Sequence, residues 1–173
     1  MLDDREISID KYSDIVDLFN KKEFESVINK IQCLEEDKFE DPFLLNLLGA
    51  TYLKLNDKKN AKLYFSHAIA LEPNHREAII NLANLEYKAE SYQNAFDYYA
   101  KLTKDGTAEP TTLGYMGKCL FELGHTEDGI TLCEEAIRIN PDVEKPYFLL
   151  AEMMHEKEDP EAVVNYYYQV LER

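Results

Sequence analysis

The chain has 173 residues, 19 of them Lys or Arg against 34 Asp or Glu, which gives a formal charge of −15 and an isoelectric point near 4.6. That balance excludes generic electrostatic binding to nucleic acid, which needs a basic surface to neutralise phosphates. At 45% hydrophobic residues the composition is that of a folded protein rather than an acidic disordered tail, and no apolar run approaches the roughly 18 residues of a membrane span.

Residues 1–10 are acidic and lack the apolar core of a secretory signal, so the expected compartment is the cytoplasm. Tyr12, Ile15, Val16 and Phe19 fall on one helical face, and Phe24, Val27 and Ile31 on another. They predict a degenerate helix pair over 8–41. Asp41-Pro42 then reads as an N-cap with Pro in the first turn, where its missing N–H costs nothing. From there a pattern runs Leu45-x-x-Leu48-Gly49-x-x-Tyr52, then Ala61-x-x-x-Phe65, Ala68 and Pro73, with Asn56-Asp57 as the cap between two helices. It returns 34 residues later as Ile79-x-x-Leu82-Ala83 and Ala95-x-x-x-Tyr99, with Ser91 as the intervening cap. A third copy follows Glu109-Pro110: Leu113-x-x-Met116-Gly117-x-x-Leu120, a cap at Thr126, Gly129-x-x-x-Cys133, Ala136 and Pro141. The fourth is Tyr147-x-x-Leu150-Ala151-x-x-Met154, then Asp159-Pro160 and Ala162-x-x-x-Tyr166. Nothing alternates with a period of two. The recurring small residues Gly49, Ala83, Gly117 and Ala151 stand mid-helix, where Gly costs about 1 kcal/mol relative to Ala. Each is expected to let the second helix of its own hairpin approach closely.

These residues resemble the tetratricopeptide repeat, a 34-residue helical hairpin with a large apolar residue, Leu-Gly, Tyr, Ala, an aromatic, Ala and Pro at these offsets. Departures are Leu45 for the usual Trp, Glu86 for an aromatic, Thr107 for the closing Pro, and a one-residue deletion before Ala162. The resemblance implies an all-α, right-handed superhelical solenoid of about five antiparallel helix hairpins. It would be one domain over 1–173, with repeats at 42–75, 76–109, 110–143 and 144–173 after the degenerate pair. Each hairpin buries its stripe against its neighbours.

In that family a second stripe on each first helix lines a concave groove that holds a segment of another protein. The aligned positions here are Phe43, Asn46, Leu47, Ala50 and Lys54; then Ile80, Asn81, Asn84 and Lys88; then Tyr115 and Lys118; then Phe148, Leu149 and Glu152. The apolar members would form pockets, and the asparagines would hydrogen-bond a peptide backbone. The carboxylate clamp of heat-shock co-chaperones is not expected, because only Asn81 matches it. The charge is uneven along the chain: residues 1–41 hold 6 basic and 13 acidic residues, and 42–75 hold 4 and 2.

No phosphate-binding loop, dinucleotide fingerprint or nucleophile elbow is present. The three cysteines lack paired spacing and read as small buried residues, and the four histidines are scattered, so neither metal nor cofactor is expected. Cys133 with His125 is the one Cys/His combination. The expected function is a non-catalytic protein-interaction scaffold or adaptor. The alternatives are the recognition module of a larger enzyme, such as a glycosyltransferase or sulfotransferase, and a secretion chaperone. Tyr166, Tyr167 and Tyr168 in the last helix, with no polar helix after them, point to either a longer protein or a homo-oligomer joined through that C-terminal helix.

Overall fold

The computed structural model describes residues 11–34, 40–103 and 109–172. Among these residues every regular element is an α-helix, and there are ten: α1 (Ser13–Asn20), α2 (Phe24–Gln32), α3 (Pro42–Lys54), α4 (Lys58–Leu71), α5 (Arg76–Lys88), α6 (Tyr92–Lys101), α7 (Pro110–Glu122), α8 (Thr126–Ile139), α9 (Lys145–Glu156) and α10 (Pro160–Leu171). Consecutive helices pair as antiparallel hairpins. Thr107 and residues 1–10 lie outside the described residues. The chain divides into two compact units, Met1–Leu82 and Ala83–Arg173, and the division falls inside α5.

Local chemistry explains where the helices begin. Asp41 accepts a hydrogen bond from the Phe43 N–H at 3.0 Å, Asp57 from Asn60 N–H at 3.0 Å, and Asp159 from Ala162 N–H at 3.0 Å. Each bond satisfies a donor that the first helical turn leaves unpaired. Pro42, Pro110, Pro146 and Pro160 occupy first-turn positions. The cap of α8 is His125, one residue before the expected Thr126, and neither His125, Ser91 nor Glu109 makes a side-chain capping bond.

The helices of each hairpin are joined by a turn with one residue in the left-handed region: Lys22, Asn56, Glu90, Gly124 and Glu158, with φ between 58° and 89°. These five positions are spaced 34 residues apart, so the first, degenerate pair keeps the period of the rest. In each turn two backbone bonds close the helix end. In the second hairpin Asn56 N–H donates to Leu53 C=O at 3.1 Å and Asp57 N–H to Tyr52 C=O at 2.9 Å. That is the Schellman arrangement, repeated in all five turns.

In unit 1, Tyr12, Ile15, Val27, Ile31, Leu44 and Leu48 form one core across α1, α2 and α3, and Leu45, Ala68 and Ala78 form another across α3, α4 and the start of α5. Full burial of such side chains stabilises by roughly 1.5–3 kcal/mol each for the larger ones. The Tyr12 hydroxyl donates to Asp41 Oδ2 at 2.8 Å, which ties the start of α1 to the cap of α3. A methyl group placed on Gly49 would lie 2.6 Å from the Phe65 ring, so the glycine gives α4 its close seat on α3.

In unit 2, the core joins Cys133, Leu149, Leu150, Met153 and Met154, and Tyr115, Ile130 and Tyr166 pack against it. Cys119 and Cys133 are buried as expected, whereas Cys33, at the exposed end of α2, is not. Among the described residues no helix is long and apolar enough to cross a membrane.

Candidate functional site

The first helix of each hairpin buries one stripe and leaves a second partly open, and most of the residues expected to bind a peptide fall on the second. In unit 1 these are Phe43, Asn46, Leu47, Ala50, Ile80 and Asn81, all half-buried, and Lys54, which is exposed. Asn81 Nδ2 donates to Asn46 Oδ1 at 2.9 Å, so α5 and α3 present a joined amide pair. An amide pair of this kind keeps one outward donor group and one outward acceptor, the complement of a peptide unit. Phe43 lies parallel to the Tyr12 ring, with centroids 6.1 Å apart, and Leu47 packs on the core of α1 to α3. Both therefore serve the fold with one edge and offer only the other.

Unit 2 carries Asn84, Lys88, Tyr115, Lys118, Phe148, Leu149 and Glu152. Two of them are inside. Leu149 is 1% exposed and abuts Gly114, where a methyl group would come within 3.1 Å of its Cδ1. Lys118 is 3% exposed; its ammonium donates to Glu156 at 2.5 Å, pairs with Glu122 at 2.6 Å, and lies 5.0 Å from the centre of the Phe121 ring. Neither side chain presents a surface to a ligand. Burial alone would lower the pKa of Lys118, but the hydrogen bonds to Glu122 and Glu156 outweigh it and the net direction is upward.

Around these residues stands a tyrosine cluster that the repeat pattern only half revealed. Tyr115 stacks on Tyr99 at 5.5 Å and meets the edge of Tyr87 at 5.2 Å; Tyr87 in turn meets Tyr92 at 5.8 Å. The Tyr99 hydroxyl donates to Asn84 Oδ1 at 2.6 Å, so Asn84 is held from below and its NH₂ remains for another acceptor. Burial, and then the charges of Glu152 and Glu122 among others, push the Tyr87 phenol far above its ordinary value, and burial does the same for Tyr99. Lys145 sits over Tyr115, 5.1 Å from the ring centre, and Phe148 packs against Tyr167. Tyr87 escaped the sequence reading because it lies one turn beyond Asn84 on the edge of the stripe. The signal available was its spacing from Asn84 and the run of three aromatic positions Tyr87, Tyr92 and Tyr99.

The Cys133–His125 combination does not form. Cys133 is fully buried, its Sγ–H donates to Gly114 C=O at 3.3 Å, and burial pushes its thiol up to about 12. A nucleophilic cysteine needs the opposite shift, and His125 is exposed at the start of α8. Among the described residues no three His, Cys, Asp or Glu side chains converge as metal ligands would.

No curated protein matches the chain. Residues 44–75 match the tetratricopeptide repeat family. Among solved structures the chain is similar to MamA, residues 41 to the end, from Desulfovibrio magneticus RS-1, with a TM-score of 0.80, 19% identity, and coverage of 92% of this chain and 90% of that one. It is similar to a crystal structure of MamA at 0.75 and 19%, covering 90% and 91%, and to PilF of Pseudomonas aeruginosa at 0.77 and 13%, covering 98% and 78%. The chain thus contains a tetratricopeptide repeat at residues 44–75 and shares the helical-hairpin fold of these structures along most of its length.

Proposed function

We propose that this protein is a non-catalytic interaction scaffold that holds a peptide segment of a partner protein on the open faces of its first helices. The observation that carries the reading is the bonded pair Asn46–Asn81 flanked by the half-buried Leu47 and Ile80, an amide-and-apolar surface that matches a peptide backbone with its side chains. In unit 2, Asn84, Tyr115 and Phe148 offer the same mixture. Tyrosine and asparagine are efficient contact residues because they add area and hydrogen bonds at small entropic cost. The repeat boundaries 42–75, 76–109, 110–143 and 144–173 follow from the same reading.

The test is affinity capture from the native cell extract, followed by calorimetry of the captured partner. Asn81→Ala with Tyr115→Ala should weaken binding about tenfold or more, the scale of two interface anchors. Lys54→Glu with Lys88→Glu alters exposed side chains alone and serves as the fold-neutral companion. Unchanged affinity in both pairs, with helicity intact, would remove the reading.

A second reading concerns the C-terminal helix. No residue of α10 is buried, and Val164, Tyr167, Tyr168 and Leu171 are 44–79% exposed on a single stripe. An apolar stripe of that kind favours association, and a second copy of the chain is the occupant we infer. Sedimentation equilibrium of wild type against Tyr168→Glu with Leu171→Glu tests it: a dimer lost in the variant supports self-association, and a monomeric wild type ends it.

A further inference from the structure

Asn84 and Tyr99 belong to the two helices of one hairpin, and the bond between them has a direction. Tyr99, on α6, is 2% exposed, and its hydroxyl lies 2.6 Å from Asn84 Oδ1 on α5. A buried hydroxyl that donates to nothing is costly, and Asn84 is the one hydrogen-bond partner this hydroxyl has among the described residues. Turning the amide over would set an NH₂ against the hydroxyl and strand the phenol proton, so Oδ1 is fixed inward. Burial also pushes the phenol far above its ordinary value, and it keeps that proton throughout the neutral range.

The ring that carries this hydroxyl is itself held. It lies nearly parallel to Tyr115 of α7, with 9° between the planes and centroids 5.5 Å apart, and Tyr115 meets the edge of Tyr87 of α5 at 5.2 Å. Three helices therefore fix one hydroxyl, and that hydroxyl fixes one amide. Asn84 is half-buried, and its NH₂ has no partner among the described residues. No buried side-chain nitrogen or oxygen among them lacks a hydrogen bond, so this NH₂ reaches solvent. An asparagine free about its last torsion offers a donor or an acceptor by turning over. Asn84 offers donors alone, whereas the bonded Asn46–Asn81 pair of unit 1 keeps one group of each kind.

We infer that Tyr99 is a positioning residue of the peptide face: its hydroxyl holds Asn84 with the NH₂ outward, where it donates to a backbone carbonyl oxygen of the bound segment. The inference rests on the peptide-binding reading and adds the polarity of one contact and the residue that sets it. A fixed amide gives up little torsional freedom when the segment arrives, so its bond contributes more to affinity than that of a freely turning side chain. A carbonyl is the acceptor that every residue of a segment carries, and the half-buried Tyr115, stacked on the same ring, supplies apolar area for an adjoining side chain.

The probe comes from random dodecapeptides displayed on phage and selected against the full chain, the best binder then being synthesised. Calorimetric titration follows on wild type, Tyr99→Phe, Asn84→Ala and the double variant, each with a thermal melt to check its fold. Tyr99→Phe keeps the ring and its stacking and removes only the hydroxyl. It should weaken binding about threefold, the size of one neutral hydrogen bond, and should cost nothing further once Asn84 is replaced by alanine. Asn84→Asp keeps an oxygen for the Tyr99 hydroxyl and turns the outward NH₂ into a second acceptor, so it should weaken binding at least as much as Asn84→Ala. Because it leaves Tyr99 in place, it decides the polarity of the contact even where Tyr99→Phe melts without cooperativity. A hydroxyl that served the fold alone would have the same effect in both backgrounds; that result, or unchanged affinity in Asn84→Asp, would overturn the assignment. If that happens while Asn81→Ala with Tyr115→Ala still loses the probe, the peptide face stands and only the role of Tyr99 falls. A probe indifferent to that pair as well, or a selection that yields no binder, ends the peptide reading and this inference with it.

Discussion

Gly117 and Gly129 face each other where α7 crosses α8: a methyl group on Gly117 would lie 2.6 Å from the Gly129 carbonyl oxygen, and one on Gly129 would lie 2.5 Å from that of Gly117. Both obstacles are backbone, so no side chain can swing aside. Gly117→Ala and Gly129→Ala each gain about 1 kcal/mol of helix propensity and each force the helices apart. Overpacking of this kind costs about 1–3 kcal/mol, so the net expectation is a loss of up to about 2 kcal/mol, seen as a lower urea midpoint with an unchanged slope. Gly49→Leu, which drives a full side chain into the buried Phe65 ring, should lose about as much or more. A raised midpoint for Gly129→Ala, the propensity gain without the clash, would mean that the two helices are not in backbone contact.

The left-handed turn residues give the opposite sign. A non-glycine residue pays about 1–2 kcal/mol to sit there, and glycine pays little. Lys22→Gly and Glu158→Gly should therefore raise the melting temperature, each by the equivalent of about 0.5–1 kcal/mol after the entropy of a freer unfolded chain is subtracted. Gly124→Ala should lower it by a similar amount. Calorimetric scans of the three variants check this, and a loss of stability in Lys22→Gly would show that the first hairpin does not turn as the others do.

Alkaline pH should unfold the protein earlier than its acidic composition suggests. The Lys118 pKa is raised in the folded state, so its contribution is fully present below its unfolded value of about 10.4 and is lost as pH rises through the folded value. The raised phenols of Tyr87 and Tyr99 act in the same direction, because the unfolded chain releases those protons first, from about pH 10. Stability measured by urea unfolding should fall between pH 10 and 11. Tyr99→Phe and Lys118→Met, each normalised to its own value at pH 8, should fall less steeply. Parallel slopes for wild type and both variants would contradict the assignment.

Much of the architecture was legible because a hairpin array writes its core as a period. Leu45, Leu48, Gly49 and Tyr52 recur at fixed offsets since each must meet a neighbour of the same kind, and Asp41, Asp57 and Asp159 announce helix starts through a bond any reader of caps can foresee. The turns were less legible. Four of their five left-handed residues are not glycine, so the usual mark is missing, and only the 34-residue spacing exposes them. On the candidate face, helical periodicity gives a direction but not the width of the buried arc. Gly114 lets α9 come close to α7, and that approach carries Leu149 into the core. Lys118 was placed on the open stripe by the same reckoning, yet it is covered because Glu122 and Glu156 satisfy its charge where a lone ammonium would have stayed in water.

The most direct measurement is calorimetric titration of the captured partner segment into wild type and into Asn81→Ala with Tyr115→Ala, with a thermal melt of each. Peptide binding on these faces predicts about a tenfold loss of affinity with cooperative melting retained. Equal affinity in two equally folded proteins would contradict it.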